Sequence, residues 1–119
     1  ADFGAEVAGF GDWYRETGSG MGATIRIATQ MNAYVMTDRA TWLAYADKGD
    51  HRIVFEGDPR LFNQYGVIAV NPERHPHVNH RGAEDLIDWL LGPEGQAAIA
   101  AFRVEGEQLF FPNAETLMD

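Results

Sequence analysis

The 119-residue chain contains no cysteine. That removes disulfides and thiolate metal sites, and leaves the redox compartment open. It has a single lysine, Lys48; every other basic residue is arginine. Nine basic side chains stand against eighteen acidic ones, a net charge of −9. Such a balance argues against nucleic-acid or anionic-membrane binding driven by a basic surface. No apolar run approaches the roughly 20 residues of a membrane-spanning helix, and the longest helical candidate is interrupted at Gly92-Pro93. Repeats and low-complexity tracts are also missing. The opening, ADFGAEVAGF, has neither an initiator methionine nor a signal-type segment. Its character is that of mid-element sequence, so a mature or excised piece is expected.

What is present is enough for one folded unit. Seven Phe, four Tyr and three Trp accompany a 45% hydrophobic composition, which is globular rather than disordered. Val7, Phe10, Trp13 and Tyr14 suit a frayed helix followed by an extended piece. Apolar residues at Met21, Ile25, Ala28 and Met31 recur at helical spacing, with Thr17 or Ser19 as N-cap candidates and Asn32 as the end. AYVMT (33–37) reads as a short buried strand. Asp38 then caps a helix of about 39–47, closed by Lys48-Gly49-Asp50. HRIVFEG (51–57) alternates like a strand, Asp58-Pro59 turns, and YGVIAV (65–70) is another buried strand ended by Asn71-Pro72. After the loop NPERHPHVNHRG, helices at Ala83–Leu91 and Pro93–Phe102 meet at a C′-glycine and N1-proline. Leu109-Phe110-Phe111 is an apolar strip that must dock on something or drive self-association by strand exchange. The order helix–strand–helix–strand–strand–helix–helix predicts an α/β fold with a mainly parallel sheet flanked by helices.

Three glycines crowd the start of the first helix in TGSGMGATI (17–25). A helix N-terminus exposes unpaired N–H groups and the positive end of the macrodipole, and glycine lets an anion approach closely. The stretch is not a Walker loop, since no GK[ST] follows. Gly18, Gly20 and Ala23 do fit G-x-G-x-x-A, and Asp38 lies 20 residues beyond Gly18, where a dinucleotide fold places its ribose-binding acid. The preceding DWYRET, however, is polar and aromatic where that fold needs a buried strand. A bare turn, with glycines allowing close backbone packing, is the third reading.

The linear order of WYRETGSGMGATIRIATQMNAYVMTDRATWL, EGDPRLFNQYGVIAVNPERHPHVN and IDWLLGPEGQAAIAAFRVEGEQLFFPNA resembles the C-terminal half of the extracytoplasmic tungstate-binding proteins of ABC-type uptake systems. These belong to the bilobal, periplasmic solute-binding class. The likeness runs from about Trp13 to Ala114. It implies a single α/β portion of such a protein, with about 13–64 supplying second-lobe elements and about 65–119 a crossing strand and helices returning to the first lobe. It also implies a tungstate or molybdate ligand, a membrane permease as partner, and a periplasmic or extracytoplasmic location. The family's threonine/serine-rich loop and serine–arginine–glycine–aspartate loop are not found here, so only part of an oxyanion site is expected.

For that part, Ser19, Gly20, Met21 and Gly22 offer backbone amides. Thr37 offers a hydroxyl and Arg39 a forked cation, both where a strand meets a helix. Asp38 is a supporting residue, since a carboxylate would repel the anion; in the plainer alternative it only caps its helix while Arg39 pairs with a carboxylate such as Glu56. His75-x-His77-x-x-His80 has imidazoles, but Pro72 and Pro76 make it a stiff surface loop, and no metal is assigned. Trp42, Tyr45 and Trp89 are expected in the core. Glu84-Asp85 and Glu105/Glu107 form no acid/base pair, so neither catalysis nor a cofactor is predicted.

Overall fold

A computed structural model describes residues 6–114. The chain divides into two compact units, Ala1–Gln64 and Tyr65–Asp119, taken in turn below.

In the first unit two short 3-10 turns, Val7–Gly9 and Gly11–Trp13, gather Phe10, Trp13 and Tyr14 into an aromatic cluster with centroids 5.0–6.2 Å apart. Helix α1 (Met21–Met31) follows. Its apolar face places Ile25, fully inaccessible, and Ala28 in the core; burying an isoleucine side chain is worth about 1.5–3 kcal/mol. Asn32 ends the helix in the left-handed region (φ 53°), its N–H turned back to Ala28 and Thr29, as the asparagine predicts. Helix α2 (Arg39–Ala44) packs against α1 and buries Trp42. It is shorter than the expected 39–47 because Tyr45 is already extended. There the only lysine takes over: the Lys48 ammonium donates to the Tyr45 carbonyl and lies 5.1 Å from the centroid of the Trp42 ring. A cation on the last carbonyls both satisfies them and complements the negative helix end. The unit ends near a 3-10 turn, Pro59–Leu61, capped by Asp58.

In the second unit α3 (His80–Leu91) begins three residues before the expected Ala83, since the Asn79 side chain accepts from Gly82 N–H at 3.0 Å. Gly92 closes α3 and opens α4 (Pro93–Ala101) with φ −77°. Its backbone is extended rather than left-handed, so glycine is needed there for space: a Cβ would lie 2.9 Å from the Asp88 carbonyl oxygen. Gln96 holds the corner, donating to Leu90 O at 2.7 Å and accepting from Ala114 N–H at 3.1 Å. A small antiparallel hairpin follows, β1 (Arg103–Val104) against β2 (Glu107–Gln108), with Arg103 opposite Gln108. Its two-residue turn has Glu105 at φ 50° and Gly106 at φ 83°, the positive-φ pair that suits strand twist. Leu109 and Ala114 are buried, and Phe110 packs against Tyr65 and Phe102. Phe111 and Trp89 are exposed, against the expectation of a core role.

Among the described residues that hairpin is the only sheet. Residues 33–37, 51–57 and 65–70 have no ladder partner there. The expected parallel sheet is therefore not seen among the described residues, because a strand is defined by a neighbour as much as by its own residues. No helix among the described residues is long and apolar enough to cross a membrane.

Candidate oxyanion site

The N-terminus of α1 is open. Gly20 occupies the N-cap position, and no side chain caps it. The expected caps are engaged elsewhere. The Ser19 hydroxyl donates to Thr17 O at 3.1 Å, while the Thr17 and Thr24 hydroxyls lie 2.6 Å apart and tie the loop to the first turn. Gly18 has φ +59°, a conformation that glycine adopts without strain. The first intrahelical bond runs from Thr24 N–H to Gly20 O. No described side chain accepts from the amides of Met21, Gly22 or Ala23, and the first turn holds no acidic residue. Ser19, Gly20 and Gly22 are exposed and Met21 is half-buried.

Beside this turn lies a cleft of about 380 Å3 lined by Gly22, Ala23, Arg26 and Tyr45. The Arg26 guanidinium has no ion-pair partner among the described residues. Neither residue was singled out from sequence as part of a site. Arg26 was findable, since it stands four positions after Gly22 and hence on the same helix face. Tyr45, read as core, belongs to the cleft because α2 stops at Ala44.

At the start of α2 the hydroxyl of Thr37 donates to Asp38 O at 3.0 Å. The Asp38 carboxylate accepts from Thr41 N–H at 2.8 Å and from the Thr41 hydroxyl at 2.7–2.8 Å. It is a helix cap. Arg39 donates to Glu56 Oε2 at 3.2 Å, with both side chains substantially exposed. The plainer alternative is thus what both residues do in this state. Thr37, Asp38 and Arg39 do not line the cleft beside Gly22, which Tyr45 closes from the other end of α2.

The dinucleotide alternative fails on local structure. Among the described residues no strand precedes Gly18, where two 3-10 turns and irregular chain stand instead, and the Asp38 carboxylate is committed to Thr41. In the histidine segment the His75 and His77 rings cross edge to face at 6.1 Å, and His80 Nε2 lies 3.0 Å from Glu84 Oε1, one helical turn on. No group of three metal-ligating side chains converges among the described residues.

Comparison with known proteins gives a consistent answer. The family model of the PBP superfamily domain matches residues 3–94. The tungstate-binding protein TupA of Peptoclostridium acidaminophilum is 41% identical over 106 residues, covering 87% of this chain and 37% of the relative. TupA of Campylobacter jejuni is 37% identical over 111 residues, covering 90% and 41%. Among solved structures, the TupA of Desulfovibrio alaskensis G20 superposes with a TM-score of 0.69 at 38% identity, over 92% of this chain and 45% of that one. The chain therefore spans about two fifths of the length of the relatives it matches.

Proposed function

We infer a solute-binding role from the premise that this chain belongs to the PBP superfamily. It is part of the extracytoplasmic solute-binding component of an ABC transporter, binds tungstate with molybdate as the closest competitor, and is not an enzyme. A membrane permease is its transport partner, and its place is periplasmic or extracytoplasmic. The observation that carries this reading is the open start of α1. In a chain with twice as many acids as bases, that first turn is free of carboxylates, uncapped, and next to Arg26, which has no ion-pair partner among the described residues.

Tungstate is a divalent, fully deprotonated oxyanion at neutral pH, so its site needs several donors and no acceptors. The amides of Ser19, Gly20, Met21 and Gly22 supply neutral N–H groups reinforced by the helix dipole. Thr37 contributes a hydroxyl, and Arg39 contributes its charge once it leaves Glu56; Arg26 strengthens the positive field at the cleft. Asp38 acts indirectly, by fixing the start of α2. Discrimination against sulfate follows from size, and against protonated phosphate from the donor-only lining. Both groups of donors lie in the same lobe, and closure of the lobes brings the remaining part of the site from the other lobe onto the ligand.

The finer architecture is part of the same reading. Segments 33–37, 51–57 and 65–70 are strands of mainly parallel sheets whose neighbours come from other parts of a bilobal protein. Residues 13–64 belong to the second lobe and 65–119 return to the first. The separation of compact units between Gln64 and Tyr65 supports that division.

Tryptophan fluorescence tests the function directly. Titration with tungstate is expected to change the emission before sulfate does, with no response to NAD. A response to NAD and none to tungstate would overturn the reading.

A further inference from the structure

Helix α2 stops at Ala44 for a reason that lies four residues further on. Tyr45 is extended (φ −75°, ψ 121°), although its N–H still reaches the carbonyls of Thr41 and Trp42. The Tyr45 carbonyl accepts from the Lys48 ammonium, which also stands 3.5 Å from the Leu43 carbonyl oxygen. A cation that serves the last carbonyls of a helix takes the place of a further turn. The chain behind it is pinned by two backbone bonds, Lys48 N–H to Ala46 O at 3.1 Å and His51 N–H to Lys48 O at 3.0 Å. Asp47 and Asp50 flank this lysine in sequence. Among the described residues its ammonium pairs with neither and lies instead over the buried Trp42 ring.

Tyr45 is the residue so fixed. On a helix continued to 47 it would follow Thr41 and Trp42 along one stripe, the core position expected from the sequence. It lines the cleft with Gly22, Ala23 and Arg26 instead. It is half-buried, and its hydroxyl has no hydrogen-bond partner among the described residues. A phenol in such a place ordinarily finds one. No carboxylate lines the cleft, and its two polar side chains, Arg26 and Tyr45, both carry donors. That is the lining a deprotonated oxyanion takes.

We propose that Lys48 is a positioning residue of the oxyanion cleft: it holds the end of α2 at Ala44 and so sets Tyr45 beside Gly22, where the Tyr45 hydroxyl donates to the bound anion. Lys48 is not among the residues that line the cleft, so its effect passes through Tyr45. The proposal deepens the reading of the α1 start as the tungstate site, and rests on it.

The test is a double-mutant cycle on tungstate affinity, read by calorimetry in a chimera in which this chain replaces the matched portion of the Desulfovibrio alaskensis TupA. Tyr45→Phe is expected to weaken binding about tenfold, the lower end for a hydrogen bond to a charged group. Lys48→Met keeps an apolar stem on Trp42 but removes the ammonium, and should cost about the same factor. Lys48→Arg, still a cation, should keep most of the affinity. In the Tyr45→Phe background Lys48→Met should add little, because residues that act through one another are not additive. A lysine with a merely structural role would give the same loss in both backgrounds, and that result would overturn the proposal. So would a Tyr45→Phe variant that binds like the parent. Gly22→Asp separates this from the site itself. If it loses tungstate while Tyr45→Phe and Lys48→Met do not, the oxyanion reading stands and the role of Lys48 is refuted; if it binds like the parent, the anion lies elsewhere and both are refuted.

Discussion

A Cβ built on Gly95 would stand 2.0 Å from the carbonyl oxygen of Trp89 and 2.9 Å from Leu90 Cα. Helix α4 turns back against the end of α3 only because no side chain intervenes. In an ordinary helix Gly→Ala stabilises by about 1 kcal/mol. Here the sign reverses. Gly95→Ala is expected to destabilise the second unit by about 1–3 kcal/mol, the range for overpacked sites, read as a lower urea midpoint at unchanged slope. A midpoint at or above the parent's would show that the corner yields more easily than its geometry implies.

Asp38 gives the second prediction. Its carboxylate accepts from both the amide and the hydroxyl of Thr41. Asp38→Ala should cost about 1 kcal/mol, and Asp38→Asn only a few tenths, because asparagine caps nearly as well. Far-UV circular dichroism during urea unfolding separates them. Equal losses would mean that the charge matters rather than the cap.

This cap was legible in the sequence, as was the whole of α1, because both depend on residues a few positions apart. The Arg39–Glu56 pair spans 17 positions, and among eighteen acidic residues Glu56 was named only as one example of a surface carboxylate for Arg39. What sequence could not reveal lies at longer range. YGVIAV has the composition of a buried strand, yet it has no ladder partner among the described residues, and a ladder depends on a neighbour as much as on composition. The hairpin at 103–108 escaped notice because its strands are two residues long and Glu105, not a typical turn residue, takes a positive φ. Thr17 and Ser19 looked like caps, but nothing local told that Thr17 would prefer Thr24 and leave Gly20 at the helix start.

Arg39 provides a test of the site itself. Its bond to Glu56 competes with any ligand. In a chimera in which this chain replaces the matched portion of the Desulfovibrio alaskensis TupA, Glu56→Gln is expected to tighten tungstate binding by about fivefold or less, since exposed ion pairs contribute at most about 1 kcal/mol. Arg39→Lys should weaken it, because a forked guanidinium is replaced by a point charge. Calorimetry in which both variants match the parent would remove Arg39 from the site.

Asp58 sets an acid limit on the turn at Pro59. Bonds from the Arg60 guanidinium, then from the Arg60 amide, hold its carboxyl below the ordinary 3.8. A carboxyl lowered in the folded state stabilises above its unfolded pKa, and that contribution is lost as pH falls through the folded value. The urea midpoint of the parent should therefore exceed that of Asp58→Asn at neutral pH, with the gap narrowing once pH drops below about 4. A gap that stays constant down to pH 2 would dissociate the effect from this titration.

The open start of α1 makes the most discriminating prediction, because stability and binding should move in opposite directions. A Cβ on Gly22 meets nothing within 4 Å, and the first turn holds no acid. Gly22→Asp removes a flexible glycine and places a carboxylate at the positive helix end, each stabilising by about 0.3–1 kcal/mol. The same carboxylate would stand among the amides assigned to a divalent oxyanion and repel it. Thermal unfolding should shift upward while tungstate affinity in the chimera falls by at least tenfold. Gly22→Ala supplies the control, gaining stability without the charge and keeping most of the affinity. If Gly22→Asp binds tungstate as tightly as Gly22→Ala, the anion does not sit at this helix end, whatever else the fold contributes.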